Sequence, residues 1–289
     1  MITTLIVGPI VGIIYVSSHP ELFANNISDA LTMAGPEYTS MTGALSGFAA
    51  GVAIVGGFSW FFGYLGGQPQ LSMRFMAIQN PKQAIKARNV GIVWTVVAYI
   101  GALTIGWLGI AIFGPTGLAD REYVMPAVLL EIFPPAIAAI LITGAIAAMV
   151  STADSLLILS ATEFSENLMR EPKKVGQKGK LLRHRSVTAS LAIVALGIAY
   201  VAPSKYIFTL VSYVWAGIGG TFSVVILLTL FWKKYHGRAV LLTIISGLLF
   251  TIIWIQTGMD EKVTARMLTF FVALFVAIVG TYLIPSKQN

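Results

Sequence analysis

Between Gly144 and Arg170 the sequence reads GAIAAMVSTADSLLILSATEFSENLMR. An apolar run is interrupted there by Ser151, Thr152, Asp154 and Ser155, and then resumes. On a helix, residues three and four apart share a face, so Ala148, Ser151, Thr152 and Ser155 form one ridge. Ser151 and Thr152 offer two hydroxyl oxygens, and the Ala148 carbonyl keeps a second lone pair beyond its helix bond. Hard cations take oxygen ligands, and uncharged oxygens suit a monovalent ion that must leave again. The chemistry is that of part of a small-cation site, to be completed by oxygens from another helix. A plainer reading stays open, because Ser and Thr in membrane helices also bond back to the preceding turn or pack on a neighbour. Asp154 has two readings as well. An ionisable group inside a span is costly and marks function. Yet it lies about 30 Å into the helix, where it is also placed to pair with a Lys or Arg near the inner surface.

A second stretch, GALSGFAAGVAIVGGFSWFFGYLGGQPQLSMRFMAIQNP from Gly43 to Pro81, is rich in glycine. Gly43, Gly47 and Gly51 read as a small-residue face that lets helices approach. Gly56 and Gly57 sit mid-span and predict an interruption that frees backbone groups. Irregular backbone is tolerated in a membrane where it lines a cavity, and interrupted helices are the best sequence pointer to a transporter site. Trp60 and Tyr64, four residues apart, would stack just past the break. As a pair they read equally well as an interfacial aromatic belt.

These residues need elements to hold them. The chain has 289 residues, 56% hydrophobic and 11% charged, whereas a soluble domain carries about 25% charged residues. Such a composition, with long uncharged runs, predicts an all-α integral membrane protein forming one membrane domain. A span needs roughly 20 apolar residues. Eight are expected, at about 1–17, 42–65, 89–114, 134–164, 186–203, 206–232, 239–257 and 264–284.

The net charge of +7 is explained by its distribution. Counted by alternate loops, fifteen Lys and Arg fall on one side and four (Arg121, Lys205, Lys262 and Arg266) on the other. Basic loops stay cytoplasmic, so both termini are expected inside a plasma membrane, with loop 166–185 cytoplasmic and loop 18–41 outside. No basic helix or aromatic platform points to nucleic acid. The absence of cysteine excludes disulfides, thiolate metal sites and a cysteine nucleophile. His19, His184 and His236 lie near span ends, too far apart in sequence to suggest a metal site. No span pairs a Ser with a His, which argues against an intramembrane enzyme. A channel would call for filter-like repeats or charged rings, which are not seen. The N-terminus has no basic residue ahead of its apolar run and does not read as a signal peptide.

GYLGGQPQLSMRFMAIQNP and AAMVSTADSLLILSATEFSENLM, followed by LVSYVWAGIGGTFSVVILLTLFWKK from Leu210 to Lys234, resemble the sodium:solute symporter family, especially its bacterial sodium/proline branch. The order and spacing of the blocks fit, and the resemblance covers essentially the whole chain. It implies a LeuT-type inverted-repeat transporter importing a small organic solute with sodium. It also implies that sodium is held by the Ala148 carbonyl and the Ser151 and Thr152 hydroxyls, with Asp154 and Ser155 as candidates for another ion position. Trp60, Tyr64, Gln68 and Pro69 map to the segment that faces substrate in the proline branch, and Trp215 to the helix of the outer gate.

The sequence departs from that branch at Gly66-Gly67, where one Gly is common, at Phe222-Ser223, where Gly-Pro is frequent, and at Arg238, where Gly is usual. Amino acids, small carboxylates and vitamins are the solutes in view. Members of the family typically carry about five more spans ahead of the one that starts at Met1. The resemblance therefore implies a partial fold: the end of the first repeat at 1–17, the second repeat at about 42–232, and two trailing spans at about 239–284. It also raises a second expectation, a truncated or split transporter that needs a partner chain supplying the remaining N-terminal helices.

Overall fold

The computed structural model describes residues 2–169, 176–201 and 206–284, the side chains of Pro69, Gln70 and Leu168 aside. Five of the counted cations, Arg170, Lys173, Lys174, Lys205 and Lys287, lie outside the described residues. The described chain is helical. In order come α1 (Ile2–Ser18), α2 (Ile27–Ala34), α3 (Pro36–Thr39), α4 (Gly47–Phe58), α5 (Trp60–Tyr64), α6 (Pro69–Met76) and α7 (Pro81–Phe113). They are followed by α8 (Val124–Ile132), α9 (Pro135–Glu163), α10 (Gln177–Val201), α11 (Ile207–Val214), α12 (Thr221–Phe231), α13 (Gly237–Gln256) and α14 (Ala265–Leu283).

Among the described residues, seven helical stretches are long and apolar enough to cross a membrane. They are Gly47–Tyr64, Pro81–Phe113, Pro135–Asn167, Gln177–Val201, Ile207–Phe231, Gly237–Gln256 and Ala265–Leu283. Eight were expected, and the difference is α1, an apolar helix of 17 residues. At 1.5 Å per residue it reaches about 26 Å, short of a hydrocarbon core of about 30 Å. Large apolar side chains stay exposed on these helices, such as Ile137, Ile140, Val150 and Ile158 on α9. That pattern fits lipid, which is as apolar as the side chains themselves.

The chain divides into two compact units. The first comprises residues 1–33 and 85–205. Its core gathers Leu5 and Val16 of α1, Ile105, Leu108 and Ile112 of α7, and Val128 and Ile132 of α8. At Gly101 α7 approaches α1 closely, since a methyl group there would overlap the Leu5 carbonyl oxygen. The buried Thr4 hydroxyl donates to the Leu141 carbonyl at 3.1 Å and ties α1 to α9. Helix α9 opens at Pro134-Pro135, a helix start that lacks only donors it would not have used. It ends in a π turn over Phe164–Leu168.

The second unit comprises residues 34–84 and 206–289. Its core holds Val224 of α12 with Phe270, Ala273 and Ala277 of α14, and Phe62 packs against them. Helices α13 and α14 are joined by paired hydroxyls, Thr251 to Thr269 at 2.7 Å. His236 at the start of α13 accepts from the Ala239 amide and bonds the Ile284 carbonyl beyond α14 at 2.9 Å. The span Ile207–Phe231 is interrupted in its middle by a π turn, Trp215–Gly220.

Candidate functional site

The two constellations of the sequence fall in different units, the oxygen ridge in the first and the aromatic residues in the second. Helix α9 runs unbroken through the ridge. Thr152 donates its hydroxyl to the Ala148 carbonyl at 3.0 Å, and Ser155 donates to the Ser151 carbonyl at 2.8 Å. The back-bonding expected of membrane Ser and Thr is thus present at two of the hydroxyls. Ser151 and Asp154 are exposed, and neither side chain has a hydrogen-bond or ion-pair partner among the described residues. Ala148 and Thr152 also line a cavity of about 230 Å³ together with Thr4, Leu5, Met125, Ala145 and Met149. This wall is apolar except for the oxygens of Thr4 and Thr152 and the nearby backbone. If Thr152 turned its proton away, its oxygen and the Ala148 carbonyl would both face a cation with free lone pairs.

The glycine-rich span differs from expectation. Gly56 and Gly57 remain helical, and α4 continues through them to Phe58. The interruption is one residue later, at Ser59, whose hydroxyl donates to the Gly56 carbonyl at 2.5 Å. A side-chain donor so satisfies a carbonyl at the turn, and two glycines need not unwind. The helix stops after Tyr64, and Gly66 turns the chain at φ 111°, a conformation that favours glycine. Gly43, Gly47 and Gly51 do not form a packing face within the described residues. None would bring an added Cβ within 4 Å of a neighbour, and Gly43 and Gly47 instead adopt positive φ.

Close packing falls on other glycines. A methyl group at Gly63 would overlap the Trp215 indole, and one at Gly67 would overlap the Gly219 carbonyl. Gly67 donates its amide to Ser223 Oγ at 3.0 Å. Segment 60–68 is thereby pressed against the π turn. Trp215 donates Nε1 to the Trp60 carbonyl at 3.0 Å, and its ring meets Trp60 at 5.5 Å and Tyr64 at 4.6 Å between centroids. Trp60 also meets Phe208 at 5.7 Å. Gln68 is buried at the start of α6, with its amide nitrogen 3.2 Å from where a Cβ on Gly219 would lie. Pro69 opens α6, its ring outside the described side chains. Trp60 and Tyr64 therefore meet on Trp215, and Gln68 lies beside Gly219 of the same π turn.

Sequence reasoning missed Ser59, Gly63, Phe208 and Gly219 as partners of that cluster. It also counted Arg266 as a loop cation. In the structure Arg266 is half-buried in the first turn of α14. Its guanidinium carbon lies 4.5 Å from the centroid of the Trp60 ring. An arginine one residue inside an apolar span was the available signal.

Residues 1–247 match the sodium:solute symporter family. The high-affinity proline transporter PutP of Bacillus subtilis is 34% identical over 214 residues, which cover 73% of this chain and 45% of that protein. The osmoregulated proline transporter OpuE of the same organism is 31% identical over 218 residues, covering 74% and 44%. A sodium/proline symporter of Staphylococcus aureus is 34% identical over 212 residues, covering 71% and 41%. The chain spans less than half the length of these relatives.

Proposed function

The chain belongs to the sodium:solute symporter family, and on that premise we propose that it works in sodium-driven uptake of a small organic solute across the plasma membrane. Proline is the first solute to test, with other amino acids and carboxylates behind it. The reading is supported by the unbroken course of α9, on which helical spacing puts Ala148, Ser151 and Thr152, with their uncharged oxygens, on one face. Sodium is cargo here. It binds to the Ala148 carbonyl and the Ser151 and Thr152 hydroxyls, with Asp154 and Ser155 serving a second ion position.

The solute sits against Trp60, Tyr64, Gln68 and Trp215. The indole N–H of Trp215 is already given to Trp60, so this residue contributes its ring face. Coupling requires only that sodium bind more tightly to the conformation that accepts solute. The architecture in this reading is the LeuT-type one, with 1–17 ending one repeat, about 42–232 forming the next, and 239–284 trailing. Both termini are cytoplasmic.

The test is L-proline uptake by cells that lack their own proline carriers and produce the protein, with sodium replaced stepwise by choline. Uptake is expected to require sodium. Thr152→Ala should raise the half-saturating sodium concentration about tenfold, the worth of one strong ligand, and change solute affinity at saturating sodium less. Uptake indifferent to sodium rejects the function. Unchanged sodium dependence in both Ser151→Ala and Thr152→Ala removes the ridge from the ion site.

A further inference from the structure

Arg266 is placed where an arginine is expensive, in the first turn of an apolar span. It is held there by three kinds of contact, all within the second unit. Nε donates to Ser59 Oγ at 3.0 Å, in the one-residue interruption between α4 and α5. Nη1 donates to Ser212 Oγ on α11. Nη2 approaches the Gly56 carbonyl at 3.5 Å, and the guanidinium plane covers Trp60. The start of α14 is itself fixed, because Asp260 Oδ1 accepts the Ala265 amide at 2.6 Å. One planar fork thus touches the turn before Trp60, the ring of Trp60, and the helix that leads into Trp215. Lysine has no planar fork and cannot make this set of contacts together.

We infer that Arg266 is the positioning residue of the aromatic cluster, setting the angle between the Ser59–Tyr64 segment and α11 and thereby the affinity for solute. The inference rests on the proposed solute role of Trp60 and Trp215. Arg266 does not touch solute in this account and acts through Trp60. Ser59 and Ser212 are the hydroxyls that aim it, and each is nearly or fully buried. Loss of the fork leaves these hydroxyls without their donor and frees the Trp60 ring to move. The rate of the transport cycle, set elsewhere, is not the quantity that changes.

The test combines L-proline uptake kinetics with hydrogen exchange of the purified full chain. In Arg266→Ala, KM for L-proline should rise about tenfold, the scale of a desolvated cation–π contact, with the maximal rate within about twofold. Arg266→Lys keeps a cation over Trp60 and should recover part of the loss, and Ser212→Ala should raise KM about threefold for one lost hydrogen bond. Amide exchange across Gly56–Tyr64 should accelerate in Arg266→Ala and in Ser212→Ala but not along α9. A fall in maximal rate at unchanged KM overturns the inference, as does unaltered exchange at Gly56–Tyr64. If Arg266→Ala does not accumulate, Arg266→Lys and Ser212→Ala decide by the same readouts. A wild-type protein that takes up no L-proline overturns the solute assignment instead, and the exchange measurement still decides whether Arg266 fixes the segment.

Discussion

Ser151 and Thr152 stand on an unbroken helix of 29 residues with their side chains exposed. Trp60 and Trp215 stand on two interrupted helices and are locked to each other by a hydrogen bond, ring contacts and glycines too close to carry a methyl group. The first arrangement is a straight rod presenting atoms. The second is assembled from bends, and its geometry depends on every partner around it. Substitutions on the ridge should therefore change ligand affinity with little effect on folding, whereas substitutions in the cluster should change both.

The largest effect should come from glycine. Gly67→Ala forces a methyl group onto the Gly219 carbonyl, and backbone cannot step aside as a side chain can. Overpacking of this kind costs about 1–3 kcal/mol or more, read as a drop of several degrees in thermal unfolding in detergent. Gly57→Ala, in a helix with open space around it, should instead stabilise by up to about 1 kcal/mol. Equal behaviour of the two alanines would erase the contrast between packed and unpacked glycines.

Next is Trp215→Phe, which keeps a ring but removes the donor to the Trp60 carbonyl. It should cost about 1 kcal/mol of stability and raise the L-proline KM. Thr152→Ala removes only a hydroxyl that bonds back to its own helix, and its thermal unfolding should stay within about 0.5 kcal/mol of wild type. A comparable loss in both would mean that the ridge is structural. The smallest effect belongs to labelling. The chain has no cysteine of its own, so a cysteine placed at Lys178 or Asn26 reports alone and should leave uptake unchanged. In intact cells an impermeant reagent should reach position 26 and not position 178. The reverse pattern would invert the orientation read from the charge split.

The sequence made the rod legible and the bends much less so. Ala148, Ser151 and Thr152 were found because a helix repeats at a fixed period, and α9 keeps that period through all three residues. Trp60 and Tyr64 stood out by their four-residue spacing and Gln68 and Trp215 by resemblance, and the meeting of the three rings is what the structure adds. The interruption was placed at Gly56 and Gly57 because glycine weakens a helix on average. It occurs at Ser59 because a hydroxyl there takes up the Gly56 carbonyl. Gly43, Gly47 and Gly51 resembled a packing stripe, yet Gly63 and Gly67 are the glycines that pack. Which glycine meets a neighbour depends on the partner surface, and a single strand of sequence does not contain it. Arg266 was assigned to a loop because charge at a span end normally faces water. Its actual partners, Ser59 and Ser212, are 207 and 54 residues away.

The wide turn at Trp215–Gly220 has one more consequence. A π turn behaves as an α-helix into which a single extra residue has been admitted. Everything after it is out of phase with everything before it by about 100°, the angular step of one residue. Removing any one residue between Ala216 and Gly220 would let the span relax into a uniform helix of normal length. Such a deletion would leave α12 facing as it does now, whereas closing the turn to α geometry with every residue kept would swing α12 round its own axis by that same step. Ser223 would then leave the Gly67 amide, and Val224 would leave Phe270. The wide turn thus sets the facing of eleven residues, and the span tolerates the loss of one residue there better than closure of the turn around all six.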